Sequence, residues 1–144
     1  MEIKSAMPED FDYAFSFIED LWDYNTYDRE ETKKVYEKIL ADPNSFVFFL
    51  LNEKGEYCGF CHGSFFSTFW MSGTTCYLAS IITKEKYRGK GYGKQMIDHA
   101  KKMAQEEGCK AIILDSGIPR NSAHKFYEAY GFEKSCYGFE LFLE

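Results

Sequence analysis

The sequence contains no run of about 20 apolar residues, the length a membrane-spanning helix requires. Met1-Glu2-Ile3-Lys4 begins no apolar secretory core, and no repeats, linkers or low-complexity tracts follow. Cysteine is sparse and odd in number: five thiols are scattered along the chain, which argues against a disulfide framework and fits a reducing compartment. A cytoplasmic protein with no membrane partner is therefore expected. Positive charge is also short. The net charge of −6 makes nucleic acid a poor partner and a small cationic molecule an easier one. Metal-binding pairs are missing too. Cys58-Gly59-Phe60-Cys61-His62 holds one C-x-x-C, but no second pair completes a zinc site and no helix start follows to activate a thiol. In a strand, residues three apart point to opposite faces, so no metal is expected there, and c-type haem attachment is out of place. His99 and His124 fall on helix candidates, at their surface.

What remains is material for one core. A chain of 144 residues, 45% hydrophobic and 19% aromatic, has room for a single domain spanning 1–144. Glu2 to Ala6 reads as a short strand. Pro8-Glu9-Asp10 starts a helix, with Phe11, Ala14, Phe15, Ile18, Leu21 and Trp22 as its apolar stripe. Asp28 is placed to cap a second helix through about Leu40, with Val35, Ile39 and Leu40 facing inward, and Asp42-Pro43-Asn44 breaks it. Ser45 to Leu51 and Tyr57 to Trp70 read as a hairpin across Asn52-Glu53-Lys54-Gly55. After the turn Met71-Ser72-Gly73, Cys76 to Thr83 reads as a buried strand. Met96, Ile97, Ala100, Met103 and Ala104 mark one face of a long helix that Gly108 ends. Ala111 to Leu114 is the next strand, Ser122 to Tyr130 the last helix, and Lys134 to Leu143 should supply one or two closing strands. This order defines an α/β layered fold.

Between the buried strand and the long helix lies Arg88-Gly89-Lys90-Gly91-Tyr92-Gly93. Alternate glycines let backbone N–H groups approach a ligand, and the following helix adds its positive dipole end, so the loop suits an anion such as pyrophosphate. Lys90 and Lys94 add charge. A Walker loop fails, because Arg88 stands where its first glycine belongs and Gln95 follows Lys94. A Rossmann fingerprint is nearer, since Asp115 lies roughly 20 residues on, where a ribose-binding acid would be. Its last glycine comes one residue early, however, and Lys84 to Arg88 separate the strand from Gly89.

Arg88, Gly91 and Gly93, in the spacing Arg-x-x-Gly-x-Gly, resemble the acetyl-CoA pyrophosphate loop of the GNAT superfamily of N-acetyltransferases. Asn121-Ser122-Ala123-His124-Lys125-Phe126-Tyr127-Glu128-Ala129-Tyr130-Gly131-Phe132 is similar to that family's N-x-x-A-x-x-F-Y-x-x-x-G-F signature. The resemblance implies a mixed central sheet of six to seven strands with about four helices, acetyl-CoA as cosubstrate and a small-molecule amine as acceptor. It also leaves room for a homodimer. By position it implies that backbone groups of Ile81 to Thr83, Ile82 included, hold the pantetheine, and that N–H groups from Arg88 and Gly89 through Lys90, Gly91, Tyr92, Gly93 and Lys94 hold the pyrophosphate. Asn121 would contact the cofactor arm, and Tyr127 would be the acid for the departing thiolate. Plain strand pairing for Ile81 and Thr83, and an aromatic core role for Tyr127, are the alternatives.

The family's usual glutamate base is missing: Ala79 and Tyr77 occupy those positions. Asp115 and the cluster Asp20, Asp23 and Tyr24 are the remaining candidates, as bases or as substrate-orienting charges, with a water chain as the other route. The acidic and aromatic join from Glu19 to Glu31 suits a cationic amine through charge-assisted hydrogen bonds and cation–π faces. Two functions of different class follow: an N-acetyltransferase acting on a primary amine by direct attack, or a coenzyme-A-binding regulatory module without turnover.

Overall fold

In a computed structural model, which describes residues 1–143, strand β1 (Glu2–Ser5) leads through a 3-10 turn at Pro8–Asp10 into helix α1 (Phe11–Leu21). Asp10 makes that entry rigid. Its carboxylate accepts from Lys4 Nζ at 2.5 Å, Met7 N at 2.9 Å and the Tyr57 hydroxyl at 2.9 Å. Helix α2 (Arg29–Ala41) follows, capped as expected by Asp28, whose side chain accepts from Glu31 N at 2.9 Å. Strands β2 (Ser45–Leu51), β3 (Tyr57–Thr68) and β4 (Gly73–Thr83) form an antiparallel meander, and β1 pairs with β2. Helix α3 (Tyr92–Glu106) leads to β5 (Ala111–Leu114), and α4 (Asn121–Tyr130) comes last. The sheet runs β1-β2-β3-β4-β5.

The chain divides into two compact units, Met1–Ile113 and Leu114–Glu144. In the first, α1 and α2 cover one face of the sheet. Phe11, Ala14, Phe17 and Tyr36 pack there on Val47, Phe49, Leu51, Phe60 and Ile82. Helix α3 takes the other face, against β3 and β4, with His99 edge-on to Phe48 at 4.9 Å. A Cβ at Gly59 would sit 2.6 Å from Met96 Sδ, so glycine lets α3 come this close. Buried on both faces, β2 reads as a near-continuous apolar run. In the second unit, α4 ends at Gly131, which has a φ of 127° that few other residues adopt.

Several expectations need correction. The sheet has five strands among the described residues, not six to seven. Lys134 to Leu143 forms no strand, because strand structure needs a bonded neighbour and none of β1 to β5 pairs with it. β4 begins at Gly73, earlier than Cys76, and β3 stops at Thr68, short of Trp70. Val35 is exposed rather than inward. The buried α2 residue is Tyr36, one position on, whose hydroxyl donates to Met7 O at 2.6 Å. Phe17, absent from the expected α1 stripe, is fully buried between Phe49 and Phe60. His99 and His124 are half-buried rather than surface residues.

Candidate active site

Strand β4 carries the site in the first unit. Its register against β3 pairs Ser80 with His62 and Leu78 with Gly63, leaving Ala79 as an extra, unopposed residue. Such a bulge bends the strand and re-aims its backbone groups, a device common beside active sites. β5 is short on the other side. Lys110 N donates to Thr74 O at 2.9 Å, so the four residues of β5 run beside the N-terminal part of β4 and reach about Leu78 at one residue per step. From Ala79 to Thr83, β4 has a strand neighbour on the β3 side alone among the described residues. The bulge and the end of β5 therefore coincide, and Ile81, Ile82 and Thr83 lie on the open stretch. Lys84 N bonds Cys58 O, so by alternation Ile82 turns its N–H and C=O to β3 while Ile81 and Thr83 turn theirs outward, the side an extended ligand would take.

The open stretch runs into the glycine loop. Glu85–Tyr87 makes a 3-10 turn, and Arg88 Nε donates back to Thr83 O at 3.1 Å. Gly89 and Gly91 have φ of 76° and 83°, the left-handed region where L residues are strained. Gly91 is the N-cap of α3 and offers no capping side chain, so the helix begins with its first N–H groups uncapped. Arg88, Gly89, Lys90 and Gly91 are all exposed, Tyr92 and Gly93 are half-buried, and the Lys94 ammonium is 3.0 Å from Asp98. Backbone donors, a helix dipole and basic side chains thus meet at one place, which is what a diphosphate requires.

In the second unit, Tyr127 is the buried residue of α4. Its ring packs against Phe126 at 5.4 Å and edge-on to Phe132 at 5.8 Å. Asn121 opens α4 and is exposed, and Asp115 follows β5, also exposed.

The acidic join is less open than its composition implies. Asp20 is 2.6 Å from Lys84 Nζ, which also donates to Ser16 Oγ at 2.6 Å and lies 4.7 Å from the Phe17 ring centroid. Asp20 and Lys84 line one cleft of about 610 Å³ with Tyr13, Tyr57 and Tyr87. Asp23 and Tyr24 lie beyond α1 in an exposed turn that Tyr27 braces by donating to Trp22 O at 2.7 Å. Lys84 was not legible as a site residue, because its carboxylate partner lies 64 positions away. His62 was also missed. It stands opposite Ser80 beside the bulge, and burial pulls its pKa down against the opposing pull of Asp42, so the imidazole is neutral near pH 7. The only sequence signal was a histidine inside an apolar strand. The neighbouring thiols are unreactive. Burial pushes Cys58 and Cys61 up and Cys76 to about 12, so all three stay protonated.

An open strand stretch running into a glycine-lined helix start is an arrangement suited to an extended, diphosphate-bearing ligand. Comparison with known proteins gives the family. The sequence profile of the Acetyltransferase (GNAT) family matches residues 14–132. YhdJ of Bacillus subtilis, an uncharacterized N-acetyltransferase, is 32% identical over 96 residues, covering 66% of this chain and 67% of its own. An aminoalkylphosphonate N-acetyltransferase of Salmonella typhimurium is 26% identical over 142 residues, covering 96% and 88%. Among solved structures, the aminoglycoside N-acetyltransferase AAC(6')-Iy in complex with CoA shares the fold. Its TM-score is 0.85 at 19% identity, covering 99% of this chain and 93% of that one. The chain belongs to the GNAT acetyltransferase family and is an acetyl-CoA-dependent N-acetyltransferase, moving acetyl groups to amines.

Proposed function

We propose that the acceptor is a small cationic primary amine and that transfer occurs by direct attack on the thioester. The observation that supports the cosubstrate assignment most is the open stretch of β4 from Ala79 to Thr83, running into the left-handed Gly89 and Gly91 at the α3 start. Acetyl-CoA supplies an activated acyl thioester. Backbone groups of Ile81 and Thr83, which turn away from β3, hold its pantetheine as a further strand would be held, while Ile82 between them turns its own to β3. One N–H of this stretch donates to the thioester carbonyl oxygen as negative charge builds there. N–H groups from Arg88 to Lys94, including Gly89, Lys90, Gly91, Tyr92 and Gly93, hold the pyrophosphate. Asn121 contacts the coenzyme arm. The amine attacks as its neutral form and loses its extra proton to water or to the His62 imidazole, while the Tyr127 hydroxyl gives a proton to the departing sulfur.

A net charge of −6 and the acidic, aromatic join at Asp20, Asp23 and Tyr24, with Asp115, support a cationic acceptor. The relatives that act on aminoalkylphosphonates and aminoglycosides support a small molecule. Thiol release from acetyl-CoA, measured across polyamines, aminoglycosides, aminoalkylphosphonates, amino acids and peptides, tests the reading. Fastest release is expected with a polycationic amine. A neutral or anionic amine as best acceptor, or a peptide N-terminus, would overturn the acceptor assignment.

A further inference from the structure

Two polar side chains meet on the sheet face that α1 and α2 cover. Val47, Phe49, Leu51, Phe60 and Ile82 form the apolar part of that face, and residues two apart on a strand share a face. His62 lies two beyond Phe60 and Ser80 two before Ile82. Both therefore stand on this face, paired across β3 and β4 beside the unopposed Ala79. Directly opposed residues bring their Cβ atoms to about 4.5–5.5 Å. Ser80 is buried and His62 half-buried. Around the imidazole, Val47 faces it from β2, the Asp42 carboxylate pulls on it from the end of α2, and Tyr77 shares its face along β4. No hydrogen bond to another described residue holds either ring nitrogen. A half-buried imidazole without such a bond costs stability, so packing alone does not explain its place.

We infer that His62 is the proton acceptor of the acetyl transfer, reached from the attacking amine through the Ser80 hydroxyl. The inference rests on the reading of β4 as the strand that holds the thioester. Ile81 turns its N–H away from β3, to the edge where the thioester oxygen is proposed to sit. Ser80 immediately precedes it, with its side chain on the face of the α1–α2 join that is proposed to hold the amine. The proton then has a continuous route. As the amine nitrogen bonds the acetyl carbon, its extra proton passes to Ser80 Oγ, and the Ser80 hydroxyl proton passes to the imidazole. When the tetrahedral adduct collapses, the C–S bond breaks and sulfur leaves with the electron pair as a thiolate. The imidazolium returns its proton to water beside Asp42. Burial lowers the His62 pKa and Asp42 opposes this only in part, so the ring is in its base form near pH 7.

Thiol release from acetyl-CoA with whichever amine of the panel above reacts fastest, followed over about pH 5–9, tests the base apart from the acceptor class. Wild-type kcat is expected to fall as pH drops below about 6.5, where an imidazole gains its proton. His62→Gln keeps a polar side chain of similar size. Its kcat should be about 100-fold lower, with acetyl-CoA affinity unchanged and the acid limb gone. Ser80→Ala should lower kcat about 10-fold and keep the limb. Asp42→Asn removes the charge that favours the imidazolium, so it should move the limb to lower pH. Wild-type kcat in His62→Gln, or a slower variant that keeps the acid limb, would overturn the inference and leave the transferase reading intact. So would a limb that Asp42→Asn leaves in place or moves upward. A wild type that acetylates no amine of the panel would overturn both.

Discussion

The Lys84 ammonium lies 2.6 Å from the Asp20 carboxylate, joining the last turn of α1 to the residue that follows β4. That strand carries the open backbone stretch, and the glycine loop begins four residues later. The pair therefore fixes α1 against the strand on which the thioester is proposed to rest.

Lys84→Met keeps the aliphatic stem and removes the charge. Loss of the partly exposed pair and of the cation–π contact with Phe17 should cost about 1–2 kcal/mol, seen as a lower urea midpoint. Asp20→Asn should cost less, and the double variant less than the sum. Strict additivity would show that the two groups do not interact in solution.

Asp10 predicts an acid-sensitive step. Burial pushes its carboxyl up, but hydrogen bonds from Lys4, Met7 N and Tyr57 outweigh this and hold it below the usual carboxylate range. A depressed folded value contributes stability above about pH 3.9, the unfolded value, and that contribution disappears as pH falls through the folded one. Asp10→Asn should cost about 1.5–3 kcal/mol at pH 7 and remove that share of the acid dependence. Urea midpoints of both proteins from neutral pH down to acid give the comparison. Parallel curves would contradict it.

At Gly91 the backbone and the ligand make separable demands. A Cβ there meets nothing within 4 Å, but φ is 83°, so Gly91→Ala should lose about 1 kcal/mol of stability through strain alone. Gly91→Asp adds a carboxylate where the pyrophosphate is proposed to sit. Calorimetry should show acetyl-CoA affinity falling about 100-fold or more beyond the alanine variant, the mark of several kcal/mol of repulsion. Equal affinities in the two variants would remove the loop from the site.

Tyr127→Phe keeps the ring between Phe126 and Phe132 and deletes only the hydroxyl. Turnover should drop by about 10²-fold with acetyl-CoA affinity little changed, as removal of a general acid does. Full activity under conditions where chemistry limits the rate would make Tyr127 a packing residue.

Features that depend on sequence neighbours were legible. The Asp28 cap, both ends of β2 and of β5, and the loop glycines each follow from residues a few positions apart. What escaped depends on distant partners. An extra residue such as Ala79 is visible only against the register of β3, and Phe17 is core because Phe49 and Phe60 stand beneath it. On α2, Ile39 and Leu40 pack on the core as expected, but Val35 was taken for the buried Tyr36 beside it, whose hydroxyl reaches Met7, 29 residues back. Lys134 to Leu143 was expected to close the sheet and forms no strand, because local sequence cannot supply the neighbour a strand must bond to.

β2 has a consequence for how the chain is made. Phe46-Val47-Phe48-Phe49-Leu50-Leu51 is uncharged, rich in β-formers and free of proline, the composition of a self-associating segment. It emerges from the ribosome before β3, its principal cover. Asp42-Pro43-Asn44 and Asn52-Glu53-Lys54 flank it as gatekeepers, and the short turn lets β3 pair as soon as Tyr57 to Thr68 is synthesised. Lengthening that turn, or delaying β3, should raise insoluble yield even where the folded protein loses little stability.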